Sequence, residues 1–258
     1  MAIGEVFKNP TVKQVIFQIK FPNLFGIERL IGDYQTSIMV DFPESQLLYA
    51  RNILLADLKP GAQLPEVPEE FSNVAVKKIW NFKNPNGVEL NVNTDSVDMT
   101  SSLHKAYNHK DAPYKFRDII KSSIDNFLQI VKIPKITRIG LRYIDECPIQ
   151  NDSHFFNEWY NSTFPLVRFP LEKAQELSFS ARIKRDPCFL KFSESFQNDG
   201  DSLKYVLDFD AYSMNVPSDK YLEVTDVLHE MILSEYDASI REPLKSFMRK
   251  DKTVSKAK

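Results

Sequence analysis

Four basic residues are spaced so that they form two pairs, each on one side of an extended segment. Arg138 and Arg142 lie in the stretch TRIGLRYIDE, and Arg182 and Lys184 lie in a later stretch. Side chains alternate between the two faces of a strand, so each pair shares a face if its segment is a strand. If the two strands are neighbours, these four cations line one sheet surface. Guanidinium groups placed in this way would bind phosphate or carboxylate, which predicts a nucleotide or nucleic-acid site.

An acidic pair, Asp208 and Asp210, has a similar two-residue spacing in another predicted strand. Two adjacent carboxylates could hold Mg²⁺ or act as acid and base. No third ligand lies near them in the sequence, and the commoner role of such residues is cross-strand ion pairing. The same alternative applies to the four cations, which would then pair with Asp145, Asp208 and Asp210 on a solvated sheet face.

Other patterns of catalysis or cofactor binding are missing from the sequence. The histidines are His104, His109, His154 and His229, and the cysteines are Cys147 and Cys188. Their spacing is not that of a zinc site, and there is no GxSxG, GxGxxG or GxxxxGK[ST] motif. We therefore expect no metal, no cofactor and no catalytic residue, with both cysteines buried and structural.

The stretch from Thr137 to Glu146 is the clearest strand, with Ile139, Leu141 and Tyr143 on one side at period two. Alternating apolar residues predict further strands over 15–21, 76–82, 88–92, 97–103, 177–183, 189–196 and 203–214. The run Asn84–Gly87 predicts a hairpin turn between two of them. Helical spacing predicts helices over 27–38, 116–131, 155–160 and 219–232. Ser218 or Asp219 is the expected N-cap of the last helix, which Ile240 would extend. Residues 43–70 carry four prolines and predict a long loop with at most one brief element.

This order of elements predicts an α+β fold, with antiparallel sheets and long helices packed on one face. It suggests two similar halves, residues 1–150 and 151–258, each with several strands followed by a long helix and packed together as one globular unit. The 258 residues include 43% apolar residues, enough for a core of that size. The formal net charge of −2 provides no global attraction to nucleic acid or to an anionic membrane. With no signal peptide and no apolar run of membrane-spanning length, the sequence predicts a cytoplasmic protein.

Two motifs carry a resemblance to a known family. FKNPTVKQVIFQIKFP near the start and GLRYIDE in the middle resemble a sporadically distributed family of uncharacterised prokaryotic conserved hypothetical proteins. The matching residues are Phe7, Asn9, Pro10, Val15, Phe17 and the run from Gly140 to Ile144. Asp145 stands where that family more often has asparagine. The resemblance implies no activity and no site residue, and the family's patchy occurrence is similar to that of defence-associated genes.

A chain with a full-size core and no assembled catalytic pattern favours a non-catalytic protein-interaction, accessory or regulatory subunit, of the kind found in defence or toxin–antitoxin loci. Its partner would be another protein or a second copy of the chain, contacted through the proline-rich loop or the aromatic segment around Trp159. The first alternative is a nucleic-acid or nucleotide binder that uses the four cations. The second is a metal-dependent enzyme that uses the acidic pair.

Overall fold

The computed structural model describes residues 6–51, 76–104, 107–110, 112, 114–200 and 202–250. Within these residues the strands are β1 (Val12–Lys20), β2 (Glu44–Arg51), β3 (Val76–Lys83), β4 (Val88–Val92), β5 (Ser96–Ser101), β6 (Lys135–Cys147), β7 (Glu176–Arg185), β8 (Cys188–Asn198) and β9 (Leu203–Pro217). The helices are α1 (Ile31–Ile38), α2 (Phe116–Ile130), α3 (Ser153–Trp159), α4 (Tyr221–Ser239) and α5 (Glu242–Arg249). None of these helices is long and apolar enough to span a bilayer.

All the described strands belong to one antiparallel sheet, in the order β2-β3-β4-β5-β1-β6-β9-β8-β7. The first strand, β1, lies in the interior of the sheet, where it pairs with β5 on one side and β6 on the other. One antiparallel sheet together with five described helices makes an α+β fold. The sheet contains strands from both sides of residue 150. The expected division into two similar halves is not confirmed, because β6 pairs with strands from both parts of the chain.

One face of the sheet is apolar and covered by helices. Side chains opposite one another across neighbouring strands share a face, and one such row runs from Phe17 to Leu141 to Ala211 to Leu190, all fully buried. Helix α4 packs on β6 and β9, where Tyr236 contacts the ring of Phe209 with 6.1 Å between centroids. Burying each large apolar side chain contributes roughly 1.5–3 kcal/mol, which makes this face the main source of stability.

The other helices contact the same face. Tyr34 of α1 lies edge-on to Phe82 of β3, with 6.0 Å between ring centroids. Phe156 of α3 contacts Tyr205 of β9 at 4.8 Å. Helix α2 has the predicted apolar stripe, and its Phe127 lies 5.3 Å from the Tyr34 ring. The opposite face of the sheet carries the polar and charged side chains of the strands.

Three local predictions differ from the structure. Part of the predicted proline-rich loop is strand β2, because Glu44–Arg51 pairs along its whole length with β3; residues 52–75 lie outside the described part of the chain. Helix α4 was expected to be capped by Ser218 or Asp219, but these residues form a short 3₁₀ turn, and no side chain caps the helix at Lys220. Ile240 is not helical, because it forms a β-bridge with Tyr160.

Candidate functional site

The four cations all lie on the polar face of the sheet, but they do not form one cluster. A row of opposite residues crosses four neighbouring strands of this face. It consists of Arg142 on β6, Asp210 on β9, Lys191 on β8 and Arg182 on β7. Strands β6 and β7 are therefore separated by two others. At about 4.8 Å per strand step, the two pairs of cations are roughly 14 Å apart. The condition that their strands be neighbours is not met.

The arginines of β6 are paired with the acidic residues of β9. Nη2 of Arg138 donates to both carboxylate oxygens of Asp210 at 2.9 and 3.0 Å. Nε and Nη2 of Arg142 donate to Asp208 at 2.8 and 2.6 Å, and these hydrogen bonds raise the pKa of Arg142. The structure thus shows the cross-strand pairing of the acidic pair. A phosphate ligand would have to displace a carboxylate from each arginine, and no cluster suited to a metal ion occurs among the described residues.

Gly140 makes room for one of these pairs. The guanidinium of Arg138 lies across the backbone of Gly140 and reaches Asp210, the amide oxygen of Gln18 at 3.2 Å and the ring of Tyr212 at 4.8 Å. A Cβ atom added at position 140 would lie 2.6 Å from Nη1 of Arg138. The glycine of the GLRYIDE motif therefore has a steric role on the polar face.

We expect Gly140→Ala to lower the free energy of unfolding by about 1 kcal/mol, because the guanidinium must leave its charged hydrogen bonds. The measurement is urea unfolding of the single variants and of the double variant with Arg138→Ala. In the Arg138→Ala background, the same glycine substitution should be neutral or stabilising, since alanine suits a strand better than glycine. Strictly additive effects of the two substitutions would contradict this explanation.

Strand β7 is an exposed edge of the sheet that carries Arg182 and Lys184. Its apolar side chains lie on the helix-covered side of the sheet, yet Phe179 and Ile183 are each 38% exposed. The predicted aromatic contact segment is different: the Trp159 ring packs against Phe247 of α5 at 5.6 Å between centroids. Apolar side chains are also exposed elsewhere: Leu47, Leu48 and Tyr49 on the other edge strand, β2, are 40–62% exposed, and Phe247 beside Trp159 is 40% exposed.

A pocket of about 480 Å³ lies on the helix-covered side, at the end of β6. It lies between the segment before β1, the loop that precedes α2, and helix α4. Its polar and aromatic lining includes Thr11, Tyr107, Tyr143, Asp145, His229 and Tyr236. Tyr143 lies on the apolar face of β6, as the alternation in TRIGLRYIDE predicts, and it faces this pocket.

Asp145 is the buried carboxylate of this pocket. The side chain is only 4% exposed, and burial raises its pKa from 3.8 to about 7. Oγ1 of Thr11 donates to its Oδ1 at 2.8 Å, and the hydroxyl groups of Thr11 and Tyr236 are 2.6 Å apart. Asp145 was considered as a partner of the four cations, but alternation along β6 places it on the other face of the sheet.

His229 is held between two tyrosines at the side of the pocket. The ring of Tyr107 stacks on it at 4.2 Å between centroids, and Oη of Tyr143 lies 3.3 Å from its Nδ1. Burial lowers the pKa of His229 from 6.5 to about 4, so the imidazole is neutral at pH 7. With a neutral His229, Asp145 is the ionisable group at the pocket floor whose charge changes near neutral pH.

One ion pair, between Arg117 and Asp226, and two hydrogen bonds of Tyr107 hold this tyrosine in place. Arg117 at the start of α2 donates to both oxygens of Asp226 on α4, each at 2.7 Å. Tyr107 donates to the same carboxylate at 2.8 Å, and its backbone oxygen accepts from the Arg117 N–H at 3.1 Å. These bonds lower the pKa of Asp226 against the opposing effect of burial. The loop is thus tied to two helices at once.

Sequence patterns did not predict this pocket. Its residues come from segments more than 200 positions apart, and taken singly their types and spacing form no recognisable motif. One local signal existed: Asp145 falls on the apolar side of β6 with Ile139, Leu141 and Tyr143, where a charged residue is unusual.

Comparison with known proteins does not assign the chain to a family, since no protein-family model, no curated protein and no solved structure matches this chain.

Proposed function

We propose that this protein acts through protein–protein interaction and that edge strand β7 is its contact surface. The observation that supports the proposal is the exposure of apolar side chains of β7 next to a backbone edge that pairs with no other described strand. An edge strand offers N–H and C=O groups that another strand can pair with, and natural edges are usually protected against this. Here the edge is ten residues long and keeps Phe179 and Ile183 accessible.

The sequence of β7 is complementary to itself, which favours a second copy of the chain as the partner. In an antiparallel pairing about a two-fold axis at Ser180, Leu177 is opposite Ile183 and Phe179 is opposite Ala181, all on the apolar side. On the polar side, Glu176 is then opposite Lys184. In the single chain Lys184 forms an ion pair with Asp186, and the two side chains are 63% and 80% exposed, respectively. Replacing this exposed pair by one with Glu176 of the second copy costs little free energy.

The test is the oligomeric state, measured by light scattering and sedimentation over a range of protein concentrations. We expect a dimer, and we expect Ile183→Lys to shift it to monomer, because the substitution places two charges in the apolar contact. Lys184→Glu should weaken association about tenfold through like charges opposite each other, and Glu176→Lys in addition should restore it.

The matched control for Glu176→Lys is Glu223→Lys on α4, which makes the same charge reversal away from the edge. A parent protein that stays monomeric at all accessible concentrations would contradict the proposed partner, as would a charge-swapped double variant that behaves like Lys184→Glu alone.

A further inference from the structure

In the part of the chain that the structure describes, the carboxylate of Asp145 has no cationic partner. No ion pair between described residues reaches it, and the hydrogen-bond donor at its Oδ1 is Oγ1 of Thr11 at 2.8 Å. The charged groups that act on it include Asp208, which is another anion. A buried carboxylate without a counter-charge is costly, and proteins place such groups where a ligand or a proton completes them.

The rest of the lining suits an organic cation. Tyr107, Tyr143 and Tyr236 supply aromatic rings, which attract ammonium groups through their π-electrons. The ring of Phe7 also lines the pocket, and the guanidinium of Arg249 lies 5.9 Å from its centroid. The other acidic residues at the pocket are Asp226, already bound to Arg117, and Glu230, which is exposed at the rim. The volume of about 480 Å³ is in the usual range for small-molecule sites.

We propose that this pocket binds a small organic cation, an amine or a quaternary ammonium compound, with its ammonium group against the Asp145 carboxylate and its alkyl part among the aromatic rings. This inference is independent of the proposed pairing through β7, because the pocket and the edge strand share no residue.

The affinity for such a cation depends on the ionisation of Asp145. Other titratable or charged groups around it are Tyr107 and His109 from the loop, Tyr143 and Cys147 on β6, Asp208 on β9, Asp226, His229, Glu230 and Tyr236 on α4, and Arg249 on α5. Burial raises the pKa of Cys147 and Tyr236 and lowers that of His229, so these three stay neutral from about pH 6 to about pH 8. Asp145 changes charge within this range.

The experiment compares choline with 3,3-dimethylbutan-1-ol, which has nearly the same shape but no charge. Binding to the whole protein is measured by calorimetry and by chemical-shift titration. We expect choline to bind at least about tenfold more tightly at pH 8, and its affinity to fall about tenfold at pH 6, because only the ionised fraction of Asp145 is competent. Choline is permanently charged, so the pH dependence reports on the protein.

Two variants separate this site from a general charge effect. Asp145→Asn should bind both compounds equally and weakly, whereas Glu230→Gln, which removes a negative charge at the rim, should keep the preference for choline. Repeating the pH series with His109→Gln removes the contribution of that histidine. The inference is overturned if neither compound binds at millimolar concentration, if both bind the parent equally, or if Asp145→Asn keeps the preference.

Discussion

Replacing Asp145 with asparagine is expected to stabilise the protein by up to about 4 kcal/mol above pH 7 and to leave its stability unchanged near pH 4. Burial raises the pKa of this carboxyl from 3.8 to about 7. Between these two values the folded state holds a proton that the unfolded state has lost. The contribution of Asp145 to the free energy of unfolding therefore falls as the pH rises through this range, by about 1.4 kcal/mol per pH unit.

With asparagine at position 145 the free energy of unfolding no longer falls for this reason as the pH rises, because asparagine has nearly the same shape as aspartate and does not ionise. Thr11 can still donate to its side-chain oxygen, as it does to Oδ1 of Asp145. The measurement is urea unfolding of parent and variant at several pH values, and the difference between them isolates residue 145 from the other carboxylates. Asp208→Asn is the control on the opposite face, and it should destabilise the protein by breaking the pair with Arg142. A variant less stable than the parent at pH 8 would contradict the argument.

His229→Gln is expected to have the opposite dependence on pH and to stabilise the protein by up to about 3 kcal/mol near pH 4, relative to its effect at pH 7. Burial lowers the pKa of His229 from 6.5 to about 4. Between these values the unfolded state binds a proton that the folded state does not. The stability that depends on neutral His229 is complete above pH 6.5 and is lost as the pH falls toward 4.

At neutral pH the same substitution should cost about 1 kcal/mol, because it removes the stacking on Tyr107 and the contact with Tyr143. The two buried groups have opposite slopes between about pH 4 and 6.5, so their contributions cancel in the parent protein. Each single variant exposes the slope of the other group: stability rises with pH in Asp145→Asn and falls with pH in His229→Gln. Parallel slopes in the two variants would show that one of the assignments is wrong.

The strand and helix pattern was largely predictable because it depends on neighbours along the chain. Alternation in TRIGLRYIDE predicted β6 with Ile139 and Leu141 inward, and both side chains are fully buried. Apolar spacing predicted α2, which spans Phe116–Ile130. Strand β2 was predicted only as an unspecified brief element within residues 43–70, because residues 44–49 are all exposed and the pairing with β3 decides their conformation.

The candidate sites were less predictable because they depend on which strands become neighbours. The spacing of Arg138 and Arg142 correctly placed them on one face, but only the register of β6 against β9 determines that each forms an ion pair with Asp210 or Asp208. Arg182 and Lys184 also share that face, yet the strand order places them at the far edge. The function itself, whether through β7 or through the pocket, stays a proposal.

The sequence by itself determined which side of each strand is apolar, because period-two alternation is a property of the extended chain. It also determined where α2 lies and where the turn at Asn84–Gly87 joins two strands. Only the tertiary structure decided the insertion of β1 between β5 and β6, the exposed edge at β7, and the meeting of Thr11, Asp145, His229 and Tyr236 around one pocket. These features arise from contacts between distant segments, whose energies depend on strand order and register and leave no periodic signal in any one segment.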